Sequence, residues 1–437
     1  MENVKEKIGR YRWVILSLVF FATTINYLDR NVISLLKDDY LEKQFGWTES
    51  DYSNIVIAFQ LAYALGMLGV GWVIDRIGTK LGYAVSLIVW SFAAIGHALA
   101  GNTAGFMVAR AALGVSEAGN FPAAIKTVAE WFPKKERALA TGIFNSGTNI
   151  GAIVAPMSVP FIAATWGWQM AFILTGAIGL LWLFFWFAIY DIPSKKKNLS
   201  KKEFEYIHSD KEEQTQDNVK KESVPWLKLL TFKQTWAFIL GKFLTDPIWW
   251  FYLFWLPSFL NKNYGMTKTD VAFPIAVVYT ITTFGSIFGG WLSGNFIKKG
   301  WDTYKARKTA MLIFAFCVLP IVGAHELGKI TPWFAIIIIG IAAASHQAWS
   351  ANIFTTASDM FPKKAVASIT GLGGMAGGIG GILIAKLAGA LLDHFKALGT
   401  IEIGYYIMFI VCGAAYITAW VVMFVILVPR KQDVVLD

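Results

Sequence analysis

The sequence predicts an all-α integral membrane protein with twelve transmembrane helices, arranged as two six-helix bundles. Three observations lead to this fold class. The 437 residues are 56% hydrophobic and 16% charged, with a mean hydropathy of +0.51, whereas a soluble domain carries about a quarter charged residues. The apolar residues form long runs, and the two halves of the chain share a repeated sequence.

Apolar runs of about 20 residues alternate with short polar stretches, and a helix needs about 20 residues to cross ~30 Å of hydrocarbon. Within lipid, only helices or closed barrels satisfy every backbone polar group. The runs are too long and too continuously apolar for barrel strands. The predicted spans are residues 13–36, 52–74, 81–100, 104–130, 138–163, 168–190, 233–260, 270–297, 309–325, 330–357, 366–392 and 403–428.

Basic residues are concentrated in every second connection between spans, as in Lys134, Lys135 and Arg137. The other connections are short or acidic. This positive-inside bias places both termini in the cytoplasm. It also accounts for the net charge of +10 better than a nucleic-acid-binding surface does, so the expected partner is the lipid bilayer and not nucleic acid.

A long polar stretch at residues 191–230 separates the two sets of six spans. We therefore expect an N-terminal bundle at 1–190, a cytoplasmic linker at 191–230 and a C-terminal bundle at 231–437. Within the linker, Ser200 and Glu203 fit a capping box that opens a short surface helix. An unstructured charged segment is the alternative.

The halves carry similar segments between their fourth and fifth spans. Residues 131–151 read WFPKKERALATGIFNSGTNIG, and residues 360–380 read MFPKKAVASITGLGGMAGGIG. The two segments align without gaps. Repeats of six spans in the same orientation are typical of transporters that bind substrate between the halves, near the membrane midplane.

The connection between spans two and three resembles the signature loop of the major facilitator superfamily. The matching residues are Gly71, Asp75, Arg76, Gly78 and Lys80. The resemblance implies the superfamily fold of two six-helix bundles. It also implies a cytoplasmic gate formed by Asp75, Arg76 and Arg137, in which Asp75 pairs with Arg137 or with a nearby helix end.

Four further motifs resemble the anion:cation symporter family, and two of them resemble its bacterial hexuronate transporters. The motifs lie at residues 26–30, 110–122, 243–257 and 346–352. The resemblance implies uptake of an organic acid with a cation, usually H⁺ in bacteria, and its hexuronate motifs imply a sugar acid. We also expect a monomer in the bacterial inner membrane that needs no cofactor. Aldonate-type relatives place an amide in span eleven. Residues 371–381 of this chain are mainly glycine, which leaves room for a closed sugar ring.

Four formal charges lie inside predicted spans, namely Asp29, Arg30, Arg110 and Glu117. A charge at mid-bilayer costs between ~2.5 and ~17 kcal/mol depending on the method, so these groups must face a water-filled cavity or each other. The planar guanidinium fork binds a carboxylate through two charge-assisted hydrogen bonds. We therefore predict that Arg30 and Arg110 hold a substrate carboxylate, although either could form a purely structural ion pair.

The two acidic residues among these four are the predicted proton carriers. Asp29 is expected to pair with Arg30 or Arg110 when no substrate is bound. Glu117 lies in an apolar stretch, which favours its neutral, protonated form. A hydrogen bond that only packs two helices is the alternative for Glu117.

Aromatic and polar side chains inside the spans are candidate contacts for a sugar ring. Aromatic faces pack on sugar C–H groups, and amide and hydroxyl groups bind sugar hydroxyls. The predicted contacts are Tyr27, Tyr63, Asn145, Gln347, Trp349 and Ser350, with Trp249, Trp250 and Tyr252 as further aromatic candidates. For each of them the alternative is helix packing or a hydrogen bond between helices.

Three other polar residues in the C-terminal spans have structural explanations. The offset between the repeats pairs Glu117 with His346, but a buried histidine bonded to a carbonyl is the favoured interpretation. Asp246 precedes Pro247 and is expected to cap the backbone that the proline frees, with a role in proton transfer as the alternative. Lys242 is expected to pair or to extend toward the membrane surface.

The sequence predicts a secondary transporter and not an enzyme. We find no phosphate-binding GxxxxGK[ST] loop, no His and Cys spacing for a metal and no catalytic triad in the sequence. The leading hypothesis is import of hexuronates such as galacturonate and glucuronate by proton symport with alternating access. The alternatives are symport of another monocarboxylate such as an aldonate, proton-driven efflux, and a membrane sensor built on a transporter scaffold.

Overall fold

A computed structural model describes residues 9–209, 226–361, 363–430 and 434, without some side chains inside its helices. The described residues are almost entirely helical. The helices are α1 (Tyr11–Leu36), α2 (Glu42–Phe45), α3 (Glu49–Ile77), α4 (Thr79–Gly96), α5 (Thr103–Glu117), α6 (Asn120–Trp131), α7 (Lys134–Trp166), α8 (Trp168–Ile189), α9 (Lys201–Ile207), α10 (Trp226–Leu229), α11 (Lys233–Tyr264), α12 (Ala272–Lys298), α13 (Thr303–Val318), α14 (Ala324–Gly328), α15 (Pro332–Met360), α16 (Lys363–Ala397) and α17 (Ile401–Val421).

Within the described residues, nine helical segments are long and apolar enough to cross a membrane. They are Tyr11–Phe45, Thr79–Leu99, Ala140–Trp166, Trp168–Ile189, Thr269–Lys298, Thr303–Gly328, Pro332–Thr356, Ile369–Ala397 and Ile401–Leu427. The predicted spans 52–74, 104–130 and 233–260 are also helical and correspond to α3, to α5 with α6, and to α11. The all-α membrane fold is therefore confirmed. The nine apolar segments reach the predicted count of twelve spans only if these three helical segments also cross the membrane.

The predicted span 104–130 is two helices and not one. α5 ends at Glu117 and α6 begins at Asn120. At the break, Gly119 lies so close to Ser86 of α4 that a Cβ atom there would collide with the serine side chain. The break places the carboxylate of Glu117 at a helix end inside the bundle.

The helices pair in the same way in both halves of the chain. α1 packs on α7 and α3 on α5 in the N-terminal bundle, while α11 packs on α16 and α12 on α15 in the C-terminal bundle. The bundles meet through α3 with α16 and α7 with α12. This pairing places the fifth and second spans of each half against the other half, as expected for two copies related by approximate two-fold symmetry.

The linker helix α9 begins where the capping box predicts. The Ser200 hydroxyl accepts a hydrogen bond from the Glu203 backbone N–H at 3.2 Å. The Glu203 carboxylate does not return to the start of α9. It accepts from the backbone N–H groups of Tyr11 and Arg12, each at 3.1 Å, so α9 holds the first turn of α1. The boundaries of the linker remain a prediction, because residues 210–225 lie outside the described part.

At the end of the bundle opposite the termini, which we call the distal end, ion pairs join the two bundles. Lys262 Nζ of α11 lies 2.9 Å from Glu42 Oε2 and 3.3 Å from Asp38 Oδ1. Lys396 Nζ of α16 lies 2.5 Å from Glu42 Oε1. Asp393 of α16 accepts hydrogen bonds from the first backbone N–H groups of α3, where an acidic group is favoured by the helix dipole.

A second, buried part of the distal network lies beneath these pairs. Lys37 Nζ lies 2.7 Å from Glu49 Oε2 and donates to Ser258 Oγ of α11 at 2.9 Å. Lys37 is 1% exposed and Glu49 is fully buried. Breaking a buried pair by removing one partner typically costs ~3–5 kcal/mol. The distal end is therefore closed by specific contacts between the two bundles.

Close packing of α3 against α11 and α16 also closes the distal end. Ser53 Oγ of α3 donates to the Ala385 carbonyl of α16 at 2.6 Å, and Tyr52 donates to the Phe254 carbonyl of α11 at 2.9 Å. Gly389 of α16 faces Ser53 with no room for a side chain, since a Cβ atom there would lie 3.1 Å from the Glu49 carbonyl oxygen and closer still to Ser53.

Candidate functional site

A buried ion pair between α1 and α5 lies at the centre of the candidate site. Arg30 donates from Nε at 3.0 Å and from Nη2 at 2.8 Å to the same oxygen, Oε2 of Glu117. The other carboxylate oxygen of Glu117 has no hydrogen-bond partner. Nη2 of Arg30 also donates to Asn26 Oδ1 at 3.3 Å. Arg30 is 1% exposed and Glu117 is fully buried, so the pair is isolated from bulk water.

Four aromatic rings surround the Arg30 guanidinium. Its central carbon lies 4.6 Å from the ring centroid of Tyr27, 5.0 Å from those of Phe59 and Tyr63, and 5.6 Å from that of Trp250. Cation–π attraction strengthens when the pair is desolvated. Three of the rings belong to the N-terminal bundle and Trp250 belongs to the C-terminal bundle, so the site lies between the halves.

Arg110, the second arginine predicted to hold the substrate carboxylate, lies beside Arg30. In this structure its guanidinium does not bind a carboxylate through two hydrogen bonds. Its Nη2 donates to the Arg30 backbone carbonyl at 3.0 Å, and its guanidinium lies 5.1 Å from the Phe59 ring and 5.7 Å from the Phe254 ring. Nε and Nη1 have no hydrogen-bond partner. Two donors of Arg110 are thus left for an acceptor, and its role in the clamp stays a prediction.

The expected pairing of Asp29 with an arginine does not occur in this structure. Glu117 pairs with Arg30 instead, and neither carboxylate oxygen of Asp29 has a hydrogen-bond partner although the residue is 1% exposed. Neighbouring helical residues point about 100° apart, at 3.6 residues per turn. Arg30 therefore faces α5 while Asp29 points to another side of α1. Its predicted role in proton coupling is not tested by this arrangement.

The remaining predicted substrate contacts are spread over α7 and α15. Asn145 is exposed, while Gln347 and Ser350 are half-buried. Trp349 is fully buried and its ring packs edge-on against Tyr416 of α17 at 5.6 Å. This contact lies within the C-terminal bundle, as the packing alternative for Trp349 requires. The binding roles of all four residues stay predictions.

Of the three other polar residues of the C-terminal bundle, Lys242 is paired as one of its two expectations states, while His346 and Asp246 have partners that differ from those expected. His346 Nδ1 lies 2.7 Å from the Tyr416 hydroxyl, and its ring stacks on Trp249 at 5.4 Å, so its partner is a hydroxyl and not a carbonyl. Asp246 forms an ion pair with Lys242 at 2.7 Å. Asp246 is thus held by the ammonium group of Lys242, whereas the expected partner was backbone near Pro247.

The predicted cytoplasmic gate is described only in part. The side chains of Asp75 and Arg137 lie outside the described part of the structure, so their pairing stays a prediction. Arg76 is exposed near the end of α3. On the same side of the molecule, Lys80 Nζ lies 3.0 Å from Asp191 Oδ2.

Sequence reasoning missed several residues of the site. Phe59 contacts both arginines, and Asn26 supports Arg30 from the preceding helical turn. Gln60 is 3% exposed beside Trp250, with both ends of its amide unpaired. A lone amide in an otherwise apolar run, as at Gln60, is the signal that could have identified it.

Three acidic residues of the distal network lie close enough to hold a cation. One carboxylate oxygen from each of Asp38, Glu42 and Glu49 lies within 4.8 Å of the others. Lys37 forms ion pairs with Asp38 and Glu49, and Lys262 forms ion pairs with Asp38 and Glu42. Each of the three carboxylates therefore already has a lysine partner. The cluster is therefore explained as an ion-pair network, and we assign no metal to it.

Comparison with known proteins agrees with this arrangement. Residues 19–385 match the family profile of the Major Facilitator Superfamily. The solved structure of a bacterial homologue of the lysosomal transporter Spinster, in an inward-facing conformation, superimposes with a TM-score of 0.76 at 17% identity, covering 95% of this chain and 97% of that one. A D-xylose–proton symporter superimposes with a TM-score of 0.75 at 15% identity, covering 97% of this chain and all of that one.

Several curated relatives are named as sugar-acid transporters of bacteria. A hexuronate transporter of Escherichia coli K12 is 34% identical over 389 residues, which cover 89% of each chain. A galacturonate transporter of Dickeya chrysanthemi is 35% identical over 77% of this chain and 97% of its own. A D-galactonate transporter of Escherichia coli is 28% identical over 89% of this chain and 91% of its own. Because the family profile matches residues 19–385 and relatives of 34–35% identity cover most of the chain, the chain belongs to the major facilitator superfamily of membrane transporters.

Proposed function

We propose that the protein imports hexuronates such as galacturonate and glucuronate by proton symport with alternating access. The single observation that carries this proposal is the buried Arg30–Glu117 pair enclosed by four aromatic rings between the two bundles. Arg30 is held by Glu117, which can be protonated. When Glu117 is protonated, Arg30 can bind a substrate carboxylate in its place. The names of the relatives supply the substrate class.

Glu117 and the substrate carboxylate compete for the same guanidinium. Both hydrogen bonds from Arg30 now end on one oxygen of Glu117. When Glu117 takes up a proton it loses its charge, and the charge-assisted bonds weaken. Arg30 is then free to bind the substrate carboxylate through two parallel bonds, and Arg110 offers two further donors. Proton uptake and substrate binding are thereby linked.

Release of the proton reverses these steps. After the substrate leaves, an unpaired Arg30 in a buried site is strongly unfavourable, because isolated buried charges are costly. Deprotonation of Glu117 restores the pair and resets the carrier. Asp29, buried and without a hydrogen-bond partner, is the second candidate proton carrier. In this scheme the protein works as a monomer in the bacterial inner membrane, with both termini in the cytoplasm.

The closed distal end fits one state of an alternating-access cycle. With the termini in the cytoplasm, Lys262, Lys396 and Asp393 seal the outer side of the carrier. Import requires these contacts to break, so that substrate can enter from outside, and to re-form afterwards.

The substrate proposal keeps one close alternative. The D-galactonate relative favours an aldonate as the next candidate, since an aldonate carries the same carboxylate on an open chain. The glycine-rich segment 371–381 of α16 favours the ring form of a hexuronate. A counterflow screen of uronates and aldonates in proteoliposomes separates the two.

We expect an inward proton gradient to drive accumulation of galacturonate in proteoliposomes that contain the purified protein. The reason is that protonation of Glu117 frees Arg30 for the substrate. Uptake of labelled galacturonate is measured with and without the gradient, with empty liposomes as the control. Uptake that ignores a protonophore and follows an imposed Na⁺ gradient would contradict proton coupling.

We also expect Gly389→Trp to stop transport by holding the distal end open. The indole cannot fit between α16 and α3, because even a Cβ atom would contact Ser53 and the Glu49 carbonyl. A cysteine placed at Ser258, which is buried in this structure, reports the opening through its reaction with a membrane-impermeant maleimide in a Cys317→Ser background. Normal transport by Gly389→Trp, with Ser258→Cys still protected, would contradict distal closure as a required step.

A further inference from the structure

Gln60 is a buried amide that the carboxylate site does not use. It lies on α3, it is 3% exposed, and neither its amide oxygen nor its amide nitrogen has a hydrogen-bond partner. Buried side-chain polar groups are nearly always paired, so an unpaired one requires a specific explanation. A primary amide offers two donors and one acceptor oxygen, which suits a group that both donates and accepts, such as a hydroxyl.

The Gln60 amide lies next to the carboxylate site. An ideal Cβ at Gly381 of α16 would lie 3.2 Å from Gln60 Nε2 and 3.0 Å from Trp250 Cδ1. The side chains of Gln60 and Trp250 therefore both pack against Gly381, which has no side chain of its own. The Trp250 ring also lies 5.6 Å from the Arg30 guanidinium. The Trp250 side chain is thus close to both Arg30 and Gln60.

A second polar group lies one helical turn away on the same side of α11. Asp246 precedes Trp250 by four residues and shares its helix face. Its carboxylate is held by Lys242 at 2.7 Å and lies against Gly377 of α16, four residues before Gly381. The Asp246 side chain is 19% exposed. Nearby, Gly374 is exposed, with no atom within 4 Å of its Cβ position, whereas Gly377 and Gly381 are buried. The glycine-rich side of α16 therefore reaches open space at Gly374.

We infer that Gln60 and Asp246 bind the hydroxyl groups of the substrate ring, while Arg30 binds its carboxylate. One helical turn, ~5.4 Å, separates Asp246 from Trp250, which matches the width of a pyranose ring. The Gln60 amide donates to and accepts from one hydroxyl, and the Asp246 carboxylate accepts from others. The Trp250 face packs on ring C–H groups. This inference rests on the proposed function and assigns the specificity for polyhydroxylated acids to these two residues.

The test compares two carboxylic acids that differ in their hydroxyl groups. Galacturonate carries ring hydroxyls, whereas cyclohexanecarboxylate offers the same carboxylate on a ring without them. Binding of each acid to the full-length purified protein is measured by competition with labelled galacturonate. We expect Gln60→Leu, which removes both polar groups at similar volume, to weaken galacturonate binding about tenfold. Cyclohexanecarboxylate binding should change by less than about twofold, because it makes no hydroxyl contacts.

Two further variants accompany this measurement. Lys242→Gln combined with Asp246→Asn removes both charges together, which avoids leaving one buried charge unpaired, and it should also weaken only galacturonate binding. Gln169→Leu is the matched control, since Gln169 is a half-buried glutamine at the distal start of α8. It should bind both acids like the wild type.

The outcomes separate this inference from the proposed function. Equal weakening of both acids by Gln60→Leu would mean that Gln60 only supports the packing around Arg30, which overturns the inference but leaves carboxylate transport intact. Unchanged binding of galacturonate would also overturn it. Wild-type protein that binds neither acid would overturn the proposed function, and the hydroxyl site with it.

Discussion

Arg30→Lys is expected to abolish transport although it keeps the positive charge. Arg30 uses two nitrogen atoms on Glu117 and a third contact on Asn26, within four aromatic rings. A lysine ammonium is a point donor that cannot reproduce this planar fork. Losing a buried charged contact of this kind costs ~2–5 kcal/mol, or roughly 30- to several-thousand-fold in affinity.

The measurement for Arg30→Lys is substrate binding together with galacturonate counterflow, on protein shown to be monodisperse and inserted. Arg10→Lys is the matched control, because Arg10 is exposed at the start of α1 and should tolerate the change. Arg110→Lys should also abolish transport if its two unpaired donors bind the substrate. A variant of either buried arginine that transports at the wild-type rate would show that this arginine is structural.

The sequence predicted the helices well, and it singled out both residues of the central ion pair, although it did not predict that Arg30 pairs with Glu117. Both results follow from local rules. Apolar runs of membrane length identify spans, and intramembrane charges identify the site. Arg30, Glu117, Tyr27 and Tyr63 are indeed brought together. The choice of partner was wrong for Asp29, because helical periodicity gives the face of a residue only relative to its own helix.

Other parts of the site depend on contacts that periodicity cannot show. Trp250 reaches Arg30 only because the two bundles close on each other, and a sequence does not state which conformation is populated. The distal network joins Glu42 to Lys262 and Lys396, which lie 220 and 354 residues away along the chain. At the break after Glu117, Gly119 packs against Ser86 of a different helix. Each of these features needs the packed structure.

Glu117→Gln is expected to separate substrate exchange from accumulation. The amide keeps the shape of the side chain and resembles the protonated acid permanently. Its oxygen can still accept from Arg30, although without the charge that makes the present bonds strong. The variant should bind galacturonate and exchange it across the membrane. It should not accumulate galacturonate against a gradient, because no proton can be released from this position to reset the carrier.

Counterflow and proton-driven uptake on the same vesicles measure the two activities of Glu117→Gln. Glu326→Gln is the matched control, because Glu326 lies exposed beside Lys329 and should leave both activities unchanged. Asp29→Asn should impair accumulation as well, and exchange too if Asp29 supports the arginines. Equal loss of both activities in Glu117→Gln would mean that this carboxylate only shapes the site. Full retention of exchange and of accumulation would mean that another group carries the coupled proton. The candidates are then Asp29, His346 and Asp246, which are also titratable and are buried or partly buried.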